Sequence, residues 1–163
     1  GLAPSTANWV QSLGQVGEVA VLLMLGTTLR RFGIKRILLV GIAAQSLRFS
    51  LFTLGDPAWL VAAAMCLHGF VFTFYAVGIT IAVDEMSDAD NRASAQGLMA
   101  MIRGGAGSLL GNYLAGTTYD RLAVEGGGHE WTSFFLLPAV VTGVGLIIFG
   151  LLFRHGRNSK STR

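Results

Sequence analysis

Trp9-Val-Gln-Ser-Leu-Gly-Gln-Val-Gly-Glu-Val-Ala-Val-Leu-Leu-Met-Leu-Gly-Thr-Thr-Leu29 is uncharged but for one carboxylate, Glu18. As a helix rising about 1.5 Å per residue, it spans a hydrocarbon core about 30 Å thick. Glu18 then lies roughly 14 Å from Trp9, close to the midplane. An ionisable group at that depth costs about 2.5–3.5 kcal/mol on insertion scales, so Glu18 is expected to face a polar cavity or a helix interface rather than lipid. Gln11 and Gln15 share its face at the i, i+4, i+7 spacing. A single polar stripe on a membrane helix suits the wall of a solute pathway.

Composition leads outward to the same class. Of 163 residues, 52% are hydrophobic and 13% charged, against about 25% charged in an average soluble domain. The mean hydropathy is +0.58, and the 22 glycines suit helices that approach one another closely. The expected fold is an all-α membrane protein, a helical bundle. Most charges sit in short segments between apolar runs, so the pI near 9.5 speaks for loop orientation and not for a nucleic-acid partner. Cys66 lies alone in an apolar run, which gives no disulfide framework. The chain opens at Gly1 without an initiator Met or a signal-peptide pattern, and the expectation is a piece of a longer protein.

Five spans are expected, at about 9–29, 36–54, 59–83, 97–119 and 132–153, with a polar tail over 154–163. Asp56 and Pro57 make a tight turn between the second and third. Gly126, Gly127 and Gly128 form a loop before the fifth. Alternate connections differ in basic residues. The first and third, with the tail, hold Arg30, Arg31, Lys35, Arg36, Arg92, Arg154, Arg157, Lys160 and Arg163, whereas the second and fourth hold only Arg121. The first group is therefore expected in the cytoplasm, with Gly1 outside. Trp9, Trp59 and Trp131 each open a span at the outer interface, as an aromatic belt requires.

The polar positions inside the spans are the candidate site. A desolvated carboxyl binds a proton more readily than one in water, so Glu18 can take a proton from one side and release it to the other. It can equally serve only to fix helix packing. Gln15 offers donors and an acceptor to a polar solute or to a neighbouring helix. In the third span His68, Phe72, Tyr75 and Ile79 share one helical face, with Thr73 and Thr80 on another. Rings interleaved with hydroxyls suit a flat ligand with polar edges, although packing explains Phe70, Phe72 and Phe74 as well. His68 can relay protons or stay neutral and hydrogen-bonded.

In the fourth span, Gly107 and Gly111 stand at small-xxx-small spacing and predict a close-packing face. That glycine run is no phosphate loop, because no strand precedes it and no Lys-Ser/Thr pair follows. Arg103 is expected to snorkel or to pair with Asp84 or Glu85, and Arg48 to reach Asp56. No cluster has metal-ligand spacing and no serine has a base at a plausible depth, so neither a metal, a cofactor nor an enzymatic activity is expected.

The loop Arg30-Arg-Phe-Gly-Ile-Lys-Arg36 resembles the basic cytoplasmic loop of the major facilitator superfamily. With Ser12-Leu-Gly-Gln-Val-Gly-Glu18, Leu67-His-Gly69, Phe74-Tyr75, Val83-Asp84, Ala95-Gln-Gly-Leu98 and Gly107-Ser-Leu-Leu-Gly111, the chain resembles that superfamily's nucleoside:proton symporters throughout. The resemblance implies the last five of twelve helices, the amino-terminal half and the seventh helix being absent. It further implies a bacterial inner-membrane transporter that takes up nucleosides with a proton as coupling ion, its carboxyl terminus cytoplasmic. Gln15 and Glu18 match the family's nucleoside-site glutamine and glutamate, and the stretch around Phe72 and Phe74 its aromatic cluster. Thr73 departs from a frequent aspartate, and Arg103 is unusual. The expected site is thus Gln15, Glu18, Phe72, Phe74 and Tyr75, with Glu18 coupling the proton. A proton-coupled sugar symporter and a non-transporting helical membrane protein are the alternatives.

Overall fold

The computed structural model describes residues 4–124 and 128–153. Most of them lie in five helices. The first, α1, runs Pro4–Phe32 and α2 Ile34–Leu54. Helix α3, residues 58–86, is assembled from Ala58–Cys66, His68–Phe70, Val71–Val77 and Gly78–Met86. Helix α4, residues 92–121, consists of Arg92–Ala100, Met101–Gly107 and Ser108–Arg121. The last, α5, is Trp131–Leu152. Between α4 and α5, β1 (Ala123–Val124) pairs antiparallel with β2 (Gly128–His129) in a two-rung ribbon. The side chains of Trp9 and Gln11, most of the glycine loop and the tail over 154–163 lie outside the described residues.

Among the described residues, three helical stretches are by length and composition apolar enough to cross a membrane: Ile34–Leu54, Trp59–Met86 and Trp131–Leu152. Their boundaries have local causes. Gly33 at φ 77° and Gly55 at φ 69° hold left-handed backbone that a side chain would strain, and they end α1 and α2. Arg30 and Arg31 occupy the last turn of α1, where cations complement the carbonyl end of the helix dipole. Asp56–Pro57, a cis bond, closes the turn into α3.

Helices α1, α2 and α3 form the core. Val21 and Leu25 from α1 meet Ile37 from α2 and Phe74 from α3 in one apolar cluster. Ile34, Leu38 and Ala82 form a second, against which Phe149 of α5 packs. Helix α5 lies along α2, joined by Lys35 Nζ donating to the Gly150 carbonyl at 3.1 Å and Ser46 Oγ to the Ala139 carbonyl at 3.5 Å.

The close approaches fall where the glycine spacing did not point. A Cβ on Gly69 would sit 2.6 Å from the Gly17 carbonyl carbon and 2.8 Å from Glu18 N, and one on Gly41 2.6 Å from Tyr75 N. Backbone therefore lies against backbone at the α1–α3 and α2–α3 contacts. Gly111, by contrast, has open space around its Cβ position, and Gly107 meets only its own helix at Ile102. Among the described residues, the expected close-packing face of α4 has no partner, and every residue over 97–116 except Met99 is exposed.

Candidate substrate and coupling site

Gly69 lets helices α1 and α3 touch, its Cβ position lying against the Gly17 backbone. That contact brings His68 to Glu18. His68 Nε2 lies 2.9 Å from Glu18 Oε1, with side-chain exposures of 37% and 22% respectively. On its other edge, His68 Nδ1 is 2.6 Å from Arg48 Nη1 of α2. The Arg48 guanidinium lies 5.6 Å from the ring centroids of Phe49 and of Phe52, an arrangement that attracts a cation to the ring faces. Glu18, His68 and Arg48 thus form one line of polar contacts through three helices.

Thr73 reinforces the contact. It is fully buried, and its hydroxyl donates to the Glu18 backbone carbonyl at 3.5 Å. The wide π-type turns over Val71–Val77 let Thr73, five residues after His68, reach the same neighbouring helix. A regular 3.6-residue period places the threonine on a different face, and the π turns undo that separation. Gln15, one turn before Glu18, is exposed.

The three aromatic candidates do not share a wall. Phe74 is 7% exposed and packs with Val21, Leu25 and Ile37, and Phe70 meets it edge to face at 5.6 Å. Tyr75 lines a separate groove of about 490 Å³ between α2, α3 and α5, together with Gln45, Thr142 and Phe149. Phe72 is exposed, one turn beyond His68. The extra residue per turn in the π segment distributes neighbouring rings to different helices.

Arg48 takes a partner other than the one expected, and Arg103 reaches a backbone carbonyl of α3. Arg48 binds His68 rather than Asp56, because its position on α2 directs it towards α3. Arg103 donates to the Ala76 carbonyl at 3.0 Å, while Asp84 pairs with Arg92 at 2.9 Å. The same Ala76 carbonyl also accepts the Thr80 hydroxyl at 3.2 Å, so it takes a donor from its own helix and one from α4. The signal that could have found the Glu18–His68 pair is depth. His68 follows Trp59 by nine residues, as Glu18 follows Trp9, an equal spacing that matches the level at which the two side chains meet.

A comparison with known proteins follows the same outline. The family described as Nucleoside H+ symporter matches residues 2–158. The xanthosine permease of Escherichia coli (strain K12) is 33% identical over 156 residues, covering 93% of this chain and 37% of that protein. The nucleoside permease NupG of the same organism is 29% identical over 153 residues, covering 91% of this chain and 36% of that protein. A crystal structure of the nucleoside transporter NupG superposes with a TM-score of 0.82 at 29% identity, over 92% of this chain and 38% of that one. A mutant of that transporter gives a TM-score of 0.84 at 30% identity, covering 91% and 38% of the two chains. The chain therefore spans well under half the length of these relatives, and at this identity the shared fold is an all-α bundle of the major facilitator kind.

Proposed function

The chain belongs to the nucleoside H+ symporter family, and on that premise we propose that it works as part of a secondary transporter that takes up nucleosides with protons by alternating access. The observation that carries this reading is Glu18, half-buried at a helix contact. One of its oxygens is held by His68, and the other takes no hydrogen bond among the described residues. A carboxylate so placed can bind and release a proton as its surroundings change. Gln15, exposed one turn away, supplies amide donors and an acceptor for ribose hydroxyls or base edges. Phe72 is a ring free to stack on a base.

In this reading all five helices cross the bacterial inner membrane, and the carboxyl terminus lies in the cytoplasm. The rest of the site comes from helices that precede the chain, with substrate bound near the midplane between two bundles that rock about it. Proton entry then draws on both the pH gradient and the membrane potential, the latter worth about 2.3 kcal/mol per charge per 100 mV. The exposed face of α4 is where further helices would seat.

The test is uptake of labelled uridine and adenosine by a complete transporter carrying these residues, in vesicles with an imposed proton gradient. Saturable uptake abolished by a protonophore, competed by nucleosides and not by lactose, is the expected result. Competition by lactose alone would assign the protein to sugar transport. Uptake indifferent to the gradient would remove proton coupling.

A further inference from the structure

The geometry points to His68 as a neutral hydrogen-bond bridge, not a proton carrier, which ties the fixed charge of Arg48 to Glu18 and leaves Glu18 Oε2 as the atom that takes the coupled proton. This rests on the reading of Glu18 as the coupling carboxylate.

A guanidinium has only donors, so His68 Nδ1, 2.6 Å from Arg48 Nη1, must present its lone pair. The single proton of the neutral ring then sits on Nε2 and is donated to Glu18 Oε1 at 2.9 Å. A second ring proton could go only to Nδ1, where it would face an arginine N–H. A proton arriving on Glu18 Oε1 would face the Nε2–H in the same way. Oε2 is left, and protonating it breaks none of these bonds.

The surroundings sharpen the assignment. From α2 the charged group against this line is Arg48, and from α3 the titratable group is His68 itself. Tyr75 of α3 faces the separate groove, and Arg103 of α4 is engaged at Ala76. Helix α1 has no other charge between Glu18 and Arg30, and α5 has none along Trp131–Leu152. With Glu18 ionised the Arg48–His68–Glu18 line is neutral overall. With Oε2 protonated it carries one positive charge. His68 is in these terms a positioning residue that fixes one oxygen of the coupling group.

Nitrogen-15 spectra of histidine-labelled complete transporter in bilayers, with the His68 signal assigned by its loss in His68→Gln, test this without requiring transport. The expected wild-type signal is the neutral Nε2–H tautomer, and the Nδ1–H tautomer or an imidazolium in the resting protein at pH 7.5 would overturn the bridge. Arg48→Lys, still only a donor, should keep the neutral ring. Arg48→Gln offers an acceptor oxygen and should admit a proton on Nδ1, whereas a ring unchanged by this variant would overturn the role given to Arg48. A glutamine at position 68 can accept from Arg48 and donate to Glu18 at once. His68→Gln should therefore retain gradient-driven uptake within about two-fold, and His68→Leu should lose it more than ten-fold. Loss of coupling in a correctly inserted His68→Gln would make the imidazole itself the carrier. If the wild-type protein shows no proton-driven nucleoside uptake, the transport reading fails, and the tautomer spectra still decide the bridge.

Discussion

The α1–α3 contact and helix α4 use glycine to opposite effect. At the first, one unheralded glycine, Gly69, lies against the Gly17 backbone, and a histidine, a carboxylate and a threonine lock the approach. Along the second, Gly104, Gly105 and Gly111 meet no atom within 4 Å beyond their own helix and its chain neighbours. Spacing of small residues permits close approach, but complementary groups on the opposing helix decide where it happens. Polar pairs within a membrane protein add about 0.6 kcal/mol on average, so shape and backbone contact carry most of the attachment.

The largest contrast should appear in the apolar residues of the two regions. Leu38, 1% exposed between α2 and α3, should cost about 2–5 kcal/mol when changed to alanine, through lost burial and the cavity left behind. Leu109 on α4 is 73% exposed, and its alanine variant should stay within about 0.5 kcal/mol of wild type. Unfolding of both variants in detergent measures the difference. Equal costs in these 163 residues alone would contradict the contrast, whereas in the complete transporter, with further helices seated on α4, the Leu109 variant should cost more.

The glycines give the next effect. Gly69→Ala forces a methyl into rigid backbone and should cost about 1–3 kcal/mol, with partial loss of the His68–Glu18 contact. Gly111→Ala has room and should be neutral or stabilise by up to about 1 kcal/mol, since alanine favours helix. A costly Gly111→Ala would restore the packing role that its spacing suggests. The smallest effect belongs to the half-exposed pair joining α3 to α4. Arg92→Ala, which breaks the bond to Asp84, should change stability by no more than about 1 kcal/mol and less in high salt.

The helical membrane class was legible because hydropathy and charge are summed over many residues, so single exceptions do not disturb them. Helix ends were less so. Gly33 lets α2 start two residues earlier than the charges Lys35 and Arg36 suggest, since lysine and arginine are tolerated in a first turn. In the candidate site, Glu18 stood out as a charge out of place. Its partners did not, because His68 and Arg48 lie 20 residues apart on antiparallel helices and meet only after three helices pack. A single 3.6-residue period along α3 predicts one aromatic face. The π turns over Val71–Val77 broke that period, sending Phe74 to the core and Tyr75 to a separate groove. Such turns leave little trace in the order of apolar and polar residues, whereas their consequence, a buried Thr73 hydroxyl at Glu18, is plain in the fold.

Glu18→Gln in the complete transporter bears most directly on the role given to this carboxylate. Glutamine keeps the shape and still accepts the His68 Nε2–H through its carbonyl oxygen, but it cannot take up a proton. Uridine accumulation in vesicles under an inward proton gradient should fall to the equilibrium level, with membrane insertion unchanged. Wild-type accumulation by a correctly inserted Glu18→Gln protein would contradict the assignment of Glu18 as the coupling residue.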